Sequence, residues 1–384
     1  MISNDVGIIG YGSSAYEKGV SQPTFDYLAD AAAACLESAG IAKSEIDGLA
    51  LSSFMAPPDN AVTLAEYLGL ELNWAHVFTA GGAGPVVSIL EAVRAVESGT
   101  ANCVLCLGGD GRTMADFRNM ISRFTKAIAN YAAPLNFGGM NGFFAMVQRR
   151  HMHEYGTKRE QLGRIAVDQR TNALKNPQAL FKNPLSLDEY LNARIIADPF
   201  RLYDCPMPAS GADAILVAPL DKAQPGKGVR ILSGHQRHNH LPGELSPIQG
   251  GWNCFREKLF DEASVSHTDL DFVQAYDDYP IMVSLQLEDL GFCTKGEVGQ
   301  FLESNTMTFD GSFPLNTGGG QLSCAATAGG GGLIGTVEAV CQLRGEAGER
   351  QVAHARTGLV SGFGMVSYGH GLSASAMILQ RAGS

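Results

Sequence analysis

The chain has no apolar run long enough to span a bilayer, and its first residues lack a basic region followed by an apolar one. No membrane span is expected, and a cytoplasmic location is the default. Positive charge is scarce: 28 Lys and Arg against 39 Asp and Glu leave a formal net charge of −11. That balance argues against nucleic acid, whose phosphate backbone needs a basic face. Cysteine is present but never at paired zinc spacing. Of Cys35, Cys103, Cys106, Cys205, Cys254, Cys293, Cys324 and Cys341, only Cys103 and Cys106 make a C-x-x-C pair. With Val104, Leu105 and Leu107 around it, the pair reads as buried thiols rather than a metal site. Scattered thiols fit a reducing compartment, and no low-complexity tail is present.

What the chain does have is glycine, 46 residues of it, clustered in runs such as 318–320 and 329–332. Such runs make tight turns and close helix approaches. One glycine phrase occurs twice. Gly81-Gly82-Ala83-Gly84-Pro85 leads into an apolar helix through Glu91-Ala92-Val93. Gly329-Gly330-Gly331-Gly332 leads into another through Glu338-Ala339-Val340. Each follows an extended segment, 75–79 or 312–316, and precedes a β-rich stretch, 102–108 or 358–364. A strand, a glycine turn and a buried helix, repeated about 250 residues apart, predict a duplicated α/β unit with pseudo-twofold symmetry.

The pattern predicts strands over 5–10, 47–52 and 213–218, a helix over 24–39 capped by Thr24, and a short helix over 61–69. Residues 111–205 carry much of the charge and two Asn-Pro phrases, and read as an excursion from the core. A second half begins near Val229. It holds a strand end at 272–279, a helix over 281–290, the second repeat, and two final strands ending near Gln380. Gly7, Gly10 and Gly12 have a rival reading as a dinucleotide fingerprint. That fingerprint needs a helix starting on the last glycine and a carboxylate closing the next strand. Pro23 intervenes before the helix, and the strand 47–52 ends in Ser52-Ser53.

Two such halves with central helices resemble the thiolase superfamily. Asn316-Thr317-Gly318-Gly319-Gly320-Gln321-Leu322-Ser323 is similar to the Asn-x-x-Gly-Gly phrase of the sterol-carrier-protein thiolases. Val6 to Gly12, Asp47-Gly48-Leu49 and Gly108-Gly109-Asp110 also resemble that family, and the likeness covers essentially the whole chain. It implies a five-layer α/β/α/β/α fold. The N-terminal half would be 1–225 with a loop region at about 111–205, and the C-terminal half 226–384. It also implies a homodimer through the strand near 75–80, whose edge would otherwise be exposed.

The family's chemistry needs a nucleophilic Cys at a helix N-terminus, a His that activates it, a His or Asn that holds the thioester oxygen, and a second Cys for the α-proton. Laid on this sequence, those positions fall at Gly82, Ala326, Tyr276 and Tyr368. All four have changed, and two are tyrosines. One reading is a thiolase relative that binds acyl-CoA or lipid without catalysis. The other is repurposing, since a stabilised phenol can act as acid or base. Retro-aldol cleavage needs no covalent nucleophile, only a base for a β-hydroxyl, donors at the thioester oxygen and an acid for Cα. The resemblance then extends to aldolases that shorten the side chains of steroid CoA esters. It implies an OB-fold partner with a zinc ribbon, assembled as a heterotetramer, and coenzyme A entering only as part of the substrate. Tyr276, Tyr368, His370 and Asp277 are the candidate catalytic residues, and Gly82, Asn316, Gly319, Gly320 and Ala326 the candidate substrate-binding positions. An acyltransferase with a relocated thiol, Cys324 for instance, is the runner-up. Cys324 reads otherwise as a packed thiol, His235, His238 and His240 as a surface loop, and Arg149-Arg150-His151 as a solvated helix face or a CoA-phosphate patch.

Overall fold

A computed structural model describes residues 2, 5–122, 124–137 and 139–383. Its strands are β1 Val6–Ser13, β2 Gly48–Ser52, β3 Trp74–Val77, β4 Val104–Asp110, β5 Ile195–Ala197, β6 Phe200–Arg201, β7 Gly211–Pro219, β8 Val229–His238, β9 Phe272–Gln274, β10 Thr357–Ser367 and β11 His370–Arg381. Its helices are α1 Thr24–Ala39, α2 Ala61–Leu68, α3 Gly84–Glu97, α4 Met114–Ser122, α5 Gly139–Tyr155, α6 Arg159–Leu174, α7 Leu187–Asn192, α8 Arg256–Ala263, α9 Pro280–Asp289, α10 Val298–Ser304 and α11 Ile334–Arg344. No described helix is long and apolar enough to cross a membrane.

Nine strands run in the order β3-β2-β4-β7-β1-β8-β11-β10-β9. The pairings repeat. β2 is parallel to β3 and β4, β4 antiparallel to β7, and β7 to β1. Likewise β9 is parallel to β10, β10 antiparallel to β11, and β11 to β8. The counterpart of β3 is a single parallel bridge from Val273 to Leu315, so the extended segment expected over 312–316 is not a full strand. The two sets join where Gly7 faces Arg230 and Ile8 faces Val229.

The repeated glycine phrases form short turns before α3 and α11. Both helices touch strands of both sets and share one core, with Ile89, Leu90 and Val93 beside Ala339, Val340 and Leu343. α1 and α2 cover the outer face of the first set, while α8 and α9 cover the second. The layers are therefore helix, sheet, helix, sheet, helix. α4 to α7 and the β5–β6 hairpin lie between β4 and β7.

Gly12 explains why the N-terminal glycines do not form a nucleotide loop. A Cβ there would lie 2.7 Å from the backbone carbon of Ala34 and 2.9 Å from Ala31 O, so the glycine lets β1 lie against α1. Thr24 does not cap α1 as expected. Pro23 holds the cap position, and Thr24 Oγ1 accepts from Gly111 N (3.1 Å). Cys103 packs in the outer core and Cys106 in the inner one, on opposite faces of the sheet. His235 and His238 also depart from expectation: they lie on β8, not in a surface loop. Glu262 meets His235 at 2.7 Å and Ser373 meets His238 at 3.0 Å. No group of three metal-ligating side chains occurs among the described residues.

Candidate active site

The segment after β9 is extended and pinned at its backbone. Asn316 Oδ1 accepts from Ala275 N (2.8 Å), and Gln286 of α9 clamps both the N–H and the C=O of Tyr276. Successive side chains of an extended segment point to opposite sides. Tyr276 and Asp278 accordingly face one cavity, while Asp277 turns away. Asp277 accepts from Gln321 N (2.9 Å), Leu322 N (3.1 Å) and Gln169 Nε2 (2.8 Å), and so fastens the glycine-rich segment. Gly319 and Gly320 adopt left-handed backbone there, and a Cβ on Gly320 would collide with the Asp277 carboxylate.

The cavity on the Tyr276 side encloses about 160 Å³. Its polar wall includes Arg112, Tyr276, Asp278 and Gln321, with Asn141 and Tyr279 bonded to each other (2.7 Å), and Gly82 and Ala326 also line it. The remaining wall is largely apolar, with Phe117 and Met120 of α4 and Phe144 of α5, so the loop region forms its cover. The Tyr276 ring stands where a side chain at position 82 would go. A Cβ on Gly82 would fall within the van der Waals envelope of ring atoms Cε2 and Cζ, and 2.6 Å from Phe363 O. The space that a side chain at position 82 would take is filled by the tyrosine.

The Tyr276 hydroxyl donates to Asp278 Oδ2 at 2.8 Å. Burial pushes the Asp278 carboxyl up to about 6, against the pull of the Tyr276 hydroxyl and the Arg112 charge. Burial, reinforced by Asp278, raises the Tyr276 phenol well above its ordinary value. Gln321 lies close enough to lower it, but Gln321 Nε2 makes no well-formed hydrogen bond. Asp277, buried on the far side, is pushed up to about 7. At neutral pH the pair thus has a phenol that keeps its proton, hydrogen-bonded to a largely ionised carboxylate.

Other candidate residues lie elsewhere. Ser367 pairs with His370 across the β10–β11 hairpin, leaving Tyr368-Gly369 as a two-residue turn with φ of 50° and 74°. The turn carries Tyr368 out of the sheet. Its hydroxyl donates to Ala127 O (3.3 Å), and its ring packs edge-on against Phe143. The buried His370 bonds through Nε2 to the His240 carbonyl. Neither Tyr368 nor His370 lines the Tyr276 cavity. Asn316 lines a larger neighbouring cavity of about 420 Å³, which meets the first at Tyr276.

Cys324 also faces that second cavity; its thiol is fully buried and driven far up by burial. Cys205 lies on the wall of the first, but burial and the neighbouring Asp204 and Asp278 push its thiol up to about 12. Neither offers a thiolate. Arg149 and Arg150 pair with Asp198, Glu154 and Glu244, while His151 is buried between Thr157 (2.9 Å) and Glu288 (3.1 Å). The trio is thus neither a wholly solvated face nor a free basic patch.

Sequence reasoning passed over Asp278, Arg112 and Gln321. The carboxylate pair at 277–278 was visible, and the alternation of an extended segment would have sent only one of the two toward Tyr276. Nothing in sequence marked the arginine two residues beyond Asp110.

Residues 234–381 match the family model described as thiolase C-terminal domain-like. The chain is 30% identical over 393 residues to an acetyl-CoA acetyltransferase of Methanothermobacter thermautotrophicus, covering 98% of this chain and all of that one. It is also 30% identical over 365 residues to a steroid side-chain-cleaving aldolase of Thermomonospora curvata, covering 88% and 90% of the two. Among solved structures, the Ltp2-ChsH2(DUF35) aldolase superposes with a TM-score of 0.87 at 27% identity over the full length of both chains.

Proposed function

The chain belongs to the thiolase superfamily, in its sterol-carrier-protein-thiolase-like branch, and from that premise we propose that it cleaves β-hydroxyacyl-CoA esters by retro-aldol reaction. The products are a ketone and a shortened acyl-CoA. One observation carries the reading: the ring of Tyr276 fills the nucleophile's space, with its hydroxyl bonded to Asp278. Tyr276 takes the β-hydroxyl proton while its own passes to Asp278. The Cα–Cβ bond breaks, the thioester holds the electron pair as an enolate, and the proton returns through Tyr276 to Cα. Gly82 leaves room for the Tyr276 ring, and Ala326 leaves room for the thioester. Asp277, Asn316, Gly319 and Gly320 position the segment that carries Tyr276, while Tyr368 holds the hairpin against the loop region and His370 ties it to the chain after β8.

Likeness to an acetyltransferase at equal identity keeps acyl transfer as the second reading; Gly82, Ala326 and the protonated thiols of Cys205 and Cys324 count against it. The substrate's β-carbon carries a bulky, steroid-like or other ring-bearing group. This is supported by the aromatic cavity wall and by the name of the aldolase relative. A DUF35-type, OB-fold partner belongs to the same proposal, as does a homodimer through β3, which is the last strand of its sheet. So do a division of the chain between 225 and 226, a requirement for no cofactor beyond the CoA ester, and a cytoplasmic setting, the last in keeping with eight free thiols. The test is incubation of the chain and a DUF35-type partner with β-hydroxyacyl-CoA esters bearing rings of different size. Release of ketone and shortened acyl-CoA is expected. Acetyl transfer without cleavage would move the assignment to the second reading.

A further inference from the structure

Retro-aldol cleavage gathers negative charge on the thioester oxygen. The position that the family resemblance gives to holding that oxygen no longer carries a free donor, since Tyr276 is bonded to Asp278, and Ala326, where the resemblance puts the activating His, has no functional group to offer instead. A cation stands in the same cavity wall. Arg112 follows β4, lines the cavity, and is 6% exposed. One Nη donates to Ala326 O at 2.7 Å, and among the described residues the other meets only Met120 Sδ at 4.0 Å. Its Nε has no partner, and the guanidinium centre lies 5.0 Å from the centroid of the Phe117 ring.

Among the described residues no carboxylate approaches Arg112 within ion-pair distance. Its acidic neighbours are Asp110 and Asp278. Asp110 is already bound by Ser53 Oγ and the backbone N–H groups of Phe54, Met55 and Gly329. Asp278 is engaged by Tyr276. A buried guanidinium without a counter-ion costs several kcal/mol, and a methionine or leucine would fill such a space without that cost. Retention of the charge here is explained if an anion forms beside it.

We infer that Arg112 binds the thioester oxygen as the enolate forms, taking over the task of the lost oxyanion donor. The inference rests on the retro-aldol reading and assigns one more catalytic residue to it. As the Cα–Cβ electron pair moves into the thioester, the oxygen gains charge facing a fixed cation inside a largely apolar wall. Interaction in such a place is far stronger than in water. The proton meanwhile rests on Asp278 and returns to Cα through Tyr276, so no oxidant, reductant or further reactant is needed.

The experiment measures deuterium entry at Cα of propionyl-CoA in heavy water, together with the Kd of propionyl-CoA, using the chain with its DUF35-type partner. Exchange requires the enolate but no ketone. Arg112→Met is expected to slow saturated exchange by about 10²-fold or more, the scale for loss of one oxyanion donor, with Kd within about threefold of wild type. Arg112→Lys should fall between the two. It keeps the charge, so it decides the question if the Met variant does not fold by circular dichroism. Weaker binding with unchanged saturated exchange would overturn the inference in favour of recognition of a ground-state anion. No change in either quantity would overturn it in favour of a packing role. Wild-type cleavage of a β-hydroxyacyl-CoA without any Cα exchange would overturn it while leaving the retro-aldol reading in place. Exchange that depends on Arg112, with no cleavage of any β-hydroxyacyl-CoA, would sink the retro-aldol reading and uphold the role of Arg112.

Discussion

Restoring a cysteine at position 82 is the sharpest perturbation the site offers. Its Cβ alone would overlap two ring atoms of Tyr276 and lie 2.6 Å from Phe363 O, before the sulfur is placed. Neither neighbour yields easily. The ring is buried with its hydroxyl held by Asp278, and the carbonyl belongs to β10. Overpacking a dense interior costs about 1–3 kcal/mol, and two fixed neighbours put Gly82→Cys near the upper end. Tyr276→Ala should cost about 3 kcal/mol by leaving a cavity. The double variant should cost no more than the worse single one, because each change relieves the other. The coupling energy is then about 3 kcal/mol, against near zero for independent sites. Denaturant midpoints of the four proteins measure it. Gly82→Cys as stable as wild type, or costs that simply add, would refute the claim that the ring occupies the nucleophile's space.

The two tyrosines should behave differently. Tyr276→Phe is expected to lower turnover of a β-hydroxyacyl-CoA by about 10²-fold, chiefly in kcat, while Tyr368→Phe, away from the cavity, should lose less than about tenfold. Steady-state assays with the partner present would rule this out if the losses were equal. Asp278 works as its carboxylate and is held up to about 6, so kcat/KM should rise with pH through about 6 and then level; Asp278→Asn should erase that limb. A profile flat from pH 5 to 8 in wild type would remove Asp278 from the relay. Mass spectrometry after mixing with acetoacetyl-CoA should find no acyl group on Cys205, Cys324 or any other cysteine, and an adduct would revive the acyltransferase reading.

Much of the fold can be read in the sequence because glycine turns and apolar helices are local signals. The helix over 24–39 is an example, and the turn-to-helix phrases at 81–97 and 328–344 are others. The segment 312–316 misled because its neighbour β9 is only three residues long and offers little edge to pair with. The Thr24 cap failed because Pro23 already fixes the entry of α1, freeing the threonine to reach Gly111. At the site, alignment could nominate Tyr276 and Gly82 but not show that one occupies the space of the other. Aligning the last strand, 374–380, with the family points to Tyr368, yet the tight turn at 368–369 sets its direction. The role of Arg112 depends on what is missing around it, and a missing counter-ion has no motif.

The clash between positions 82 and 276 also favours an order in time. A tyrosine ring placed as it is at 276 meets the cost worked out above whenever a side chain larger than hydrogen projects from 82. For a lineage that began with a cysteine nucleophile and changed one residue at a time, the less costly route therefore loses that side chain first. Return meets the same cost, since a cysteine that comes back before the tyrosine leaves must displace its ring. The packing at this one point acts as a ratchet, separating two chemistries that one fold can house.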